Sequence, residues 1–347
     1  MKRIVLYLLA AFLVNGGMAQ ILAQKVATSS FQFLKVMPTS RSAGMGEAYS
    51  TQATGADAVF WNPAGIALAE QHEIASTLTL WLFDTKQGAL AYALPLGDWG
   101  ALGFQLQYVD YGDMVETTVE ELRFVGSGAD RRYNPGITGR TFRPSAYVAG
   151  ITYARSLTDR FSTGVTVKFV NESLYGNRSV TVTTPEGEKI EYRTYARVLL
   201  FDYGLRYDTG FRSIQIAVAV QNLGPSVKYG VDAYPAPMIF RLGTSADLVG
   251  RNALLMTNDD NRFTVAYDMV QPNDYAQQMH VGAEYGLSES IFLRAGYKWN
   301  YDNDGLTFGG GLRTTLSGFN VGLDYSYGAM GEYLGQVHRI SMGVKFK

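Results

Sequence analysis

The chain predicts an all-β fold: a transmembrane antiparallel β-barrel of about fourteen strands, preceded by an N-terminal plug segment. Three observations predict it. From about residue 72 onward, segments of roughly ten alternating apolar and polar residues recur, divided by short polar breaks. The N-terminus reads as an export signal. The last segment, His338 to Lys347, alternates Ile340, Met342, Val344 and Phe346 against Arg339, Ser341, Gly343 and Lys345. Successive strand side chains point to opposite faces, so each segment has one apolar face and one polar, charged face. A soluble sandwich has the same period, but it turns its polar faces outward and pools its apolar faces in one core. A membrane barrel instead puts the apolar face in lipid and the polar face in the lumen.

Taken in order, the chain divides into three parts. Lys2 and Arg3 precede the apolar run Ile4–Val14, and Gly16, Gly17 and Ala19 follow. Residues 1–19 are therefore expected to form a signal peptide, with cleavage after Ala19 or as late as Ala23. The apolar run falls short of the roughly 20 residues a spanning helix needs. No Cys follows it, which excludes a lipoprotein anchor, and the chain has no Cys for disulfides or thiolate metal sites.

Residues 20–71 do not read as strands. Gly44 and Gly46 permit backbone closed to other residues, and Asn62-Pro63 starts a turn because Pro63 pushes Asn62 away from helix. Val59, Phe60 and Trp61 beside that turn need burial, and the barrel lumen offers it. Residues 72–347 form the barrel. Its strands are expected at Ile74–Leu82, Ala89–Leu96, Ala101–Tyr111, Ser145–Tyr153, Phe161–Val170, Val198–Tyr207 and Ile214–Gln221. The second half follows at Met238–Thr244, Phe263–Met269, Met279–Tyr285, Ile291–Trp299, Leu306–Arg313, Asn320–Tyr327 and Val337–Phe346. If the first strand starts in the periplasm, Gly112–Pro144 and Glu172–Tyr195 become long outer loops, and the short breaks become inner turns. The Leu248–Asn261 connection is too long for that scheme.

Composition agrees. Tyr numbers 23, Phe 18 and Gly 38, which suits aromatic girdles, tight turns and crowded lumen positions. Mean hydropathy near zero fits a barrel that averages wet and greasy faces, and not a helical membrane protein. A net charge of −1 gives no reason to expect nucleic acid. The polar strand faces carry Lys168, Asp202, Arg206, Arg241, Asp268, Glu284, Arg294, Lys298, Arg313, Asp324 and Arg339. These charges of both signs are expected to pair across the wall; the alternative is a selective conduction pathway.

The three His residues, His72, His280 and His338, lie far apart in sequence, so no metal site, cofactor or catalytic residue is expected. Neither a nucleophile elbow nor a phosphate-cradling loop appears.

The run Arg41-x-x-Gly44-Met45-Gly46-x-Ala48, then Asp57, then Trp61-Asn62-Pro63-Ala64-Gly65-Ile66 resembles the PorV/PorQ family of outer-membrane proteins. That family is related to the FadL-type barrels for hydrophobic compounds, which share the Asn-Pro-Ala signature. Gln221-Asn222-Leu223-Gly224, Pro235-x-Pro237 and Phe240-Arg241-Leu242-Gly243 match its middle. Arg294-Ala295-Gly296-Tyr297, Phe308 to Leu312 and His338 to Ser341 match its last strands. The resemblance implies a fourteen-stranded barrel in the outer membrane of a Gram-negative, Bacteroidetes-like bacterium. It implies a non-enzymatic part in type IX secretion or cell-surface attachment, with the secretion translocon and cargo C-terminal signal domains as partners. The alternative it implies is a FadL-like channel, its hydrophobic ligand lined by Phe31, Phe33, Phe60 and Trp61; plug packing explains the same four residues. Family members are also linked to lipid A deacylation, but no Ser/His pair stands out on the outer face. The polar outer loop Gly112–Pro144, rich in Arg, suits protein or lipopolysaccharide contacts, or is only a solvated hairpin.

Overall fold

A computed structural model describes residues 28–183, 187–230 and 232–347; the expected signal peptide lies outside the described residues. Fourteen strands form the wall. They are β1 (His72–Leu80), β2 (Lys86–Pro95), β3 (Ala101–Asp110), β4 (Ser145–Thr158), β5 (Phe161–Ser173), β6 (Tyr195–Asp208) and β7 (Gln215–Leu223). Then come β8 (Ile239–Gly250), β9 (Asn261–Pro272), β10 (Gln278–Leu287), β11 (Ile291–Trp299), β12 (Leu306–Leu316), β13 (Phe319–Ala329) and β14 (Gln336–Phe346). Each pairs antiparallel with its neighbours in sequence. β14 returns to β1, with Glu73 opposite Lys345 and Leu80 opposite His338, so the wall closes and no edge is left unpaired. Among the described residues no helix is long and apolar enough to cross a membrane.

Alternation decides what faces lipid. On β13, Leu323 is 49 % exposed while its neighbour Asp324 is 7 % exposed and turned inward. Outward aromatics cluster near both rims. At one, His72 stacks on Phe346 and Tyr92, with ring centroids 5.5 and 6.1 Å apart. At the other, the Tyr325 hydroxyl lies 2.7 Å from His338 Nδ1, so His338 faces outward. These are the interface girdles of a membrane barrel.

The connections differ sharply between rims. At the rim where β1 begins, links are short, as in the turn between Leu316 and Phe319. The opposite rim carries the long loops, so it is the outer one. There two hairpins project, Met114–Val125 with Arg132–Phe142 and Ser179–Thr183 with Lys189–Arg193. A third, Val227–Tyr229 with Asp232–Tyr234, sits where the sequence reads as loop. Its turn uses Gly230 at φ 60°. The long inner link after β8 also has an explanation. Met256–Thr257 folds back parallel to Val249–Gly250, and Leu254 N–H donates to Asp247 O at 2.8 Å, so the link tidies itself against its own strand.

The buried apolar residues lie inside the barrel. They belong to residues 28–71 and to the small inward side chains of the wall, among them Ala91, Ala93 and Ala154.

Candidate functional site

The lumen and the segment that fills it form the site. That segment folds into short helical turns, Gln32–Lys35, Ser40–Gly44, Gly55–Asp57, Ala58–Trp61 and Pro63–Leu68. None is long enough to be stable alone. Wall side chains therefore supply the partners that its backbone lacks.

Near the outer rim, Lys35 Nζ pairs with Asp274 at 2.6 Å, and Ser29 Oγ donates to the same carboxylate at 2.5 Å. Phe31 and Phe33 pack edge to face here, in a cluster with Val109, Val148, Val170 and Leu200. Phe60 and Trp61 lie in a separate cluster with Met37, Met45 and Tyr49. The four aromatics therefore do not line one ligand pocket, as the channel alternative expected. An irregular segment has no period to tell which of its rings meet.

Arg41 reaches the wall as a bidentate pair with Glu284, at 2.8 and 2.7 Å. Glu284 also accepts from Arg294 at 2.6 Å and Arg262 at 3.3 Å. Arg294 and Arg313 in turn hold Asp324, at 2.7 and 2.6 Å. The result is a ladder of alternating sign across β9–β13 that ends on the plug. Removing one member would strand a buried charge. Higher up, Glu47 meets Lys298 at 2.9 Å, and Lys298 also holds Asp304 at 2.6 Å. Burial pushes the Glu47 carboxyl up, but Lys298 and the cationic groups around it outweigh that and hold it at about 2.

Wall groups also cap the plug backbone. Asp268 accepts from Tyr49 N–H at 3.1 Å and Ser50 N–H at 2.9 Å. Gln221 donates to Phe60 O at 2.8 Å, Gln105 to Val59 O at 3.2 Å, and Arg206 to Thr51 O at 3.2 Å. Glu73 accepts from Ala56 N–H at 3.0 Å beside Gly55. The Asn62 amide accepts from Ala64 N–H at 3.1 Å and donates to Leu205 O at 3.1 Å. That fixes the Trp61-Asn62-Pro63 turn against β6. Trp61 is fully buried, its ring under the Arg241 guanidinium at 4.7 Å and its Nε1 donating to Thr39 at 3.0 Å.

The charges named from the sequence do not all pair. Asp202 pairs with Lys168 at 2.8 Å. Arg206, Arg241 and Arg339 find no carboxylate among the described residues; Arg241 lies over Trp61 and Arg339 over Trp81, where the ring faces take the charge. Asp57 faces a polar cavity of about 500 Å³ at the inner rim, near Arg41, Glu73 and Arg313. Burial first, then the charges of Asp324 and Glu73, push its carboxyl up to about 6 against the pull of Arg41.

Gly44 and Gly46 explain themselves by contact. Gly44 abuts Gly309, and Gly46, at φ 60°, abuts Gly296 and Tyr297 backbone. Gly65 lies against the carbonyl of Ala53. Sequence reasoning missed the wall half of this fit. Gly103, Gly164, Gly204, Gly282 and Gly296 all point inward where a Cβ would strike the plug. The available signal was their place on the polar face of strands that otherwise carry charged or amide side chains.

The sequence from residue 19 to 271 matches the model of the family described as type IX secretion system protein PorV. The chain belongs to this family. It is accordingly an outer-membrane barrel of type IX secretion, and no curated protein sequence matches it. Among solved structures it is similar to the Pseudomonas putida toluene transporter TodX, at 15% identity and a TM-score of 0.54, covering 93% of this chain and 98% of that one. It is also similar to the CymD monoaromatic hydrocarbon channel, at 11% identity and a TM-score of 0.50, covering 91% and 98%. At such identities the likeness is one of fold, and it places the PorV-family barrel in the FadL-like architecture. What occupies the lumen of this barrel is the chain's own segment, tied to the wall by Lys35 on Asp274 toward the outer rim and by Ala56 N–H on Glu73 toward the inner one.

Proposed function

We propose that this PorV-family barrel works in type IX secretion as a non-enzymatic, plugged partner protein. Its outer hairpins meet cargo C-terminal signal domains and the translocon, and nothing crosses its own lumen. The observation that carries this reading is the double anchorage of the plug, by Lys35 on Asp274 toward the outer rim and by Arg41 on Glu284 below it. A segment held at two depths by ion pairs on buried wall carboxylates is built to stay. The hairpin Met114–Val125 with Arg132–Phe142 supports the partner role: Val119 is 79 % and Phe124 is 59 % exposed, and the two flank charged Glu120 and Arg123. Exposed apolar groups rimmed by charge suit protein contact.

The three His residues support the non-enzymatic part. Each has a tyrosine hydroxyl as side-chain partner, His72 with Tyr92, His280 with Tyr301 and His338 with Tyr325, at 2.8, 2.9 and 2.7 Å. None activates a serine as a lipid hydrolase requires.

One observation favours uptake of a hydrophobic compound instead. A cavity of about 350 Å³ at the outer rim is lined by Phe33, Val36, Trp81, Leu82 and Val109. A deletion strain complemented with the chain lacking the 114–142 hairpin separates the two readings. We expect secreted and surface-attached cargo to be lost while uptake of hydrophobic compounds stays intact. Normal secretion with impaired uptake would overturn the proposal in favour of the channel.

A further inference from the structure

The lipid-facing side of β6 changes character along its length. Tyr203, Phe201 and Leu199 are 46, 43 and 53 % exposed on the outer wall, while Ala196, Val198 and Leu200 between and beyond them are buried in the lumen cluster. Toward the outer rim the same face continues as Arg197, Tyr195 and Arg193. The Arg193 guanidinium lies 5.4 Å and the Arg197 guanidinium 5.3 Å from the centre of the Tyr195 ring. Arg197 Nε donates to Asn171 Oδ1 at 3.0 Å, and among the described residues neither guanidinium has a carboxylate partner.

The register gives their face. Arg197 lies opposite Asn171, Asn171 opposite Tyr147, and Tyr147 opposite Tyr108. Tyr147 and Tyr108 are outward aromatics, 40 and 53 % exposed, so Arg197 shares their outward face. Counting along the strand gives the depth. From outward Tyr207 near the inner rim, the ten residues to Arg197 span roughly 33 Å of strand. At a tilt of about 40° that is about 25 Å along the membrane normal, the height of a barrel's apolar band. Arg197 therefore stands where hydrocarbon gives way to headgroups, and Arg193 stands just beyond.

Unpaired cations on a lipid-facing wall are costly unless an anion meets them. In the outer leaflet of an outer membrane, the anion at that depth is the phosphate of lipid A. Two guanidiniums flanking one ring are a preorganised pair of forks for phosphate oxygens, and Leu199 and Phe201 below them suit an acyl chain. We propose that Arg193, Tyr195 and Arg197 form a clamp on the outer wall for a lipid A phosphate. The clamp is separate from the plug and from the projecting hairpin at 114–142.

The test uses the full barrel, purified in mild detergent and exposed to bisphosphorylated lipid A or its dephosphorylated form, with retained lipid counted by native mass spectrometry. The phosphorylated form is expected to stay bound. Arg193→Ala with Arg197→Ala should lower its retention about tenfold or more, since each lost bond is charge-assisted. Arg251→Ala, an exposed arginine of the inner link after β8, should change nothing. Heat-modifiable gel mobility reports whether the double variant is folded. Arg193→Ala alone, beyond the end of β6, carries the test if it is not. Equal retention of dephosphorylated lipid A, or undiminished retention by a folded variant, would overturn the clamp. So would displacement by inorganic phosphate with no preference for the lipid, which would assign the arginines to a soluble anion.

Discussion

Asp57 and Glu47 are both carboxylates of the plug at opposite ends of the lumen, Asp57 half-buried and Glu47 buried, and their surroundings drive them apart. Glu47 has Lys298 in contact, and its carboxyl is held at about 2. Its stabilisation is present above about pH 4.5 and disappears as pH falls toward 2. Asp57 has no such partner and is raised from 3.8 to about 6. Its folded form therefore binds a proton that the unfolded form has released. Stability falls as pH rises through that window, and the full penalty applies above it. Asp57→Asn removes the penalty. We expect the variant to melt higher than the parent at pH 8, by an amount on the order of 1–3 kcal/mol at most once solvent screening is allowed for. At pH 4 the two should melt alike. Circular dichroism melts at both values check this, and an equal gain at pH 4 would show that Asp57 is not the titrating group.

At the scale of strands and turns, the wall was legible and its contents were not. Ile291–Trp299 is found at the residues the sequence indicates, because Arg294, Gly296 and Lys298 alternate without a break against Leu293, Ala295 and Tyr297. β8 runs past the expected Thr244 to Gly250 because Ser245 and Asp247 face the lumen, where polar residues continue a strand that looks finished. The plug's short turns carry no period at all. They exist because wall groups such as Asp268 and Gln221 meet their backbone, and because inward glycines leave room. Charge pairs were legible as residue types, but the choice of Glu284 for Arg41 depends on a register that sequence does not encode locally. Gly204 tests the glycine half of this account. A Cβ there would strike the Asn62 amide and the Pro63 ring. Alanine suits a strand better than glycine does, so Gly204→Ala should leave the barrel closed and dislodge the 61–66 turn. Limited proteolysis should then cut residues 28–71 faster, with heat-modifiable mobility unchanged. A protected plug in the variant would mean that the turn shifts to accept the methyl group.

The whole molecule reads as a wall that can stand alone around a segment that cannot. Fourteen strands close through hydrogen bonds that do not involve the plug, and pairs such as Lys168–Asp202 and Arg294–Asp324 lie within the wall itself. The plug, in contrast, has only short turns and takes its order from the lumen. Cavities at the outer rim and the inner rim share no lining residue, and Trp61, Tyr49 and Met45 lie buried in the segment that passes between them. Removing residues 28–70 should therefore leave a folded barrel with a water-filled, charged lumen. Lys298 keeps Asp304 and Glu284 keeps Arg294, so the loss of plug contacts does not strand either charge. Asp268 loses its two backbone donors to water, at a cost well short of unfolding the wall. The expected result in planar bilayers is a clear rise in single-channel conductance over the intact protein, which should be nearly silent. Unchanged conductance would mean that the wall collapses onto the vacated space or that the plug is not what closes it. A rise would show that the plug is what closes this lumen, as the proposed surface role requires.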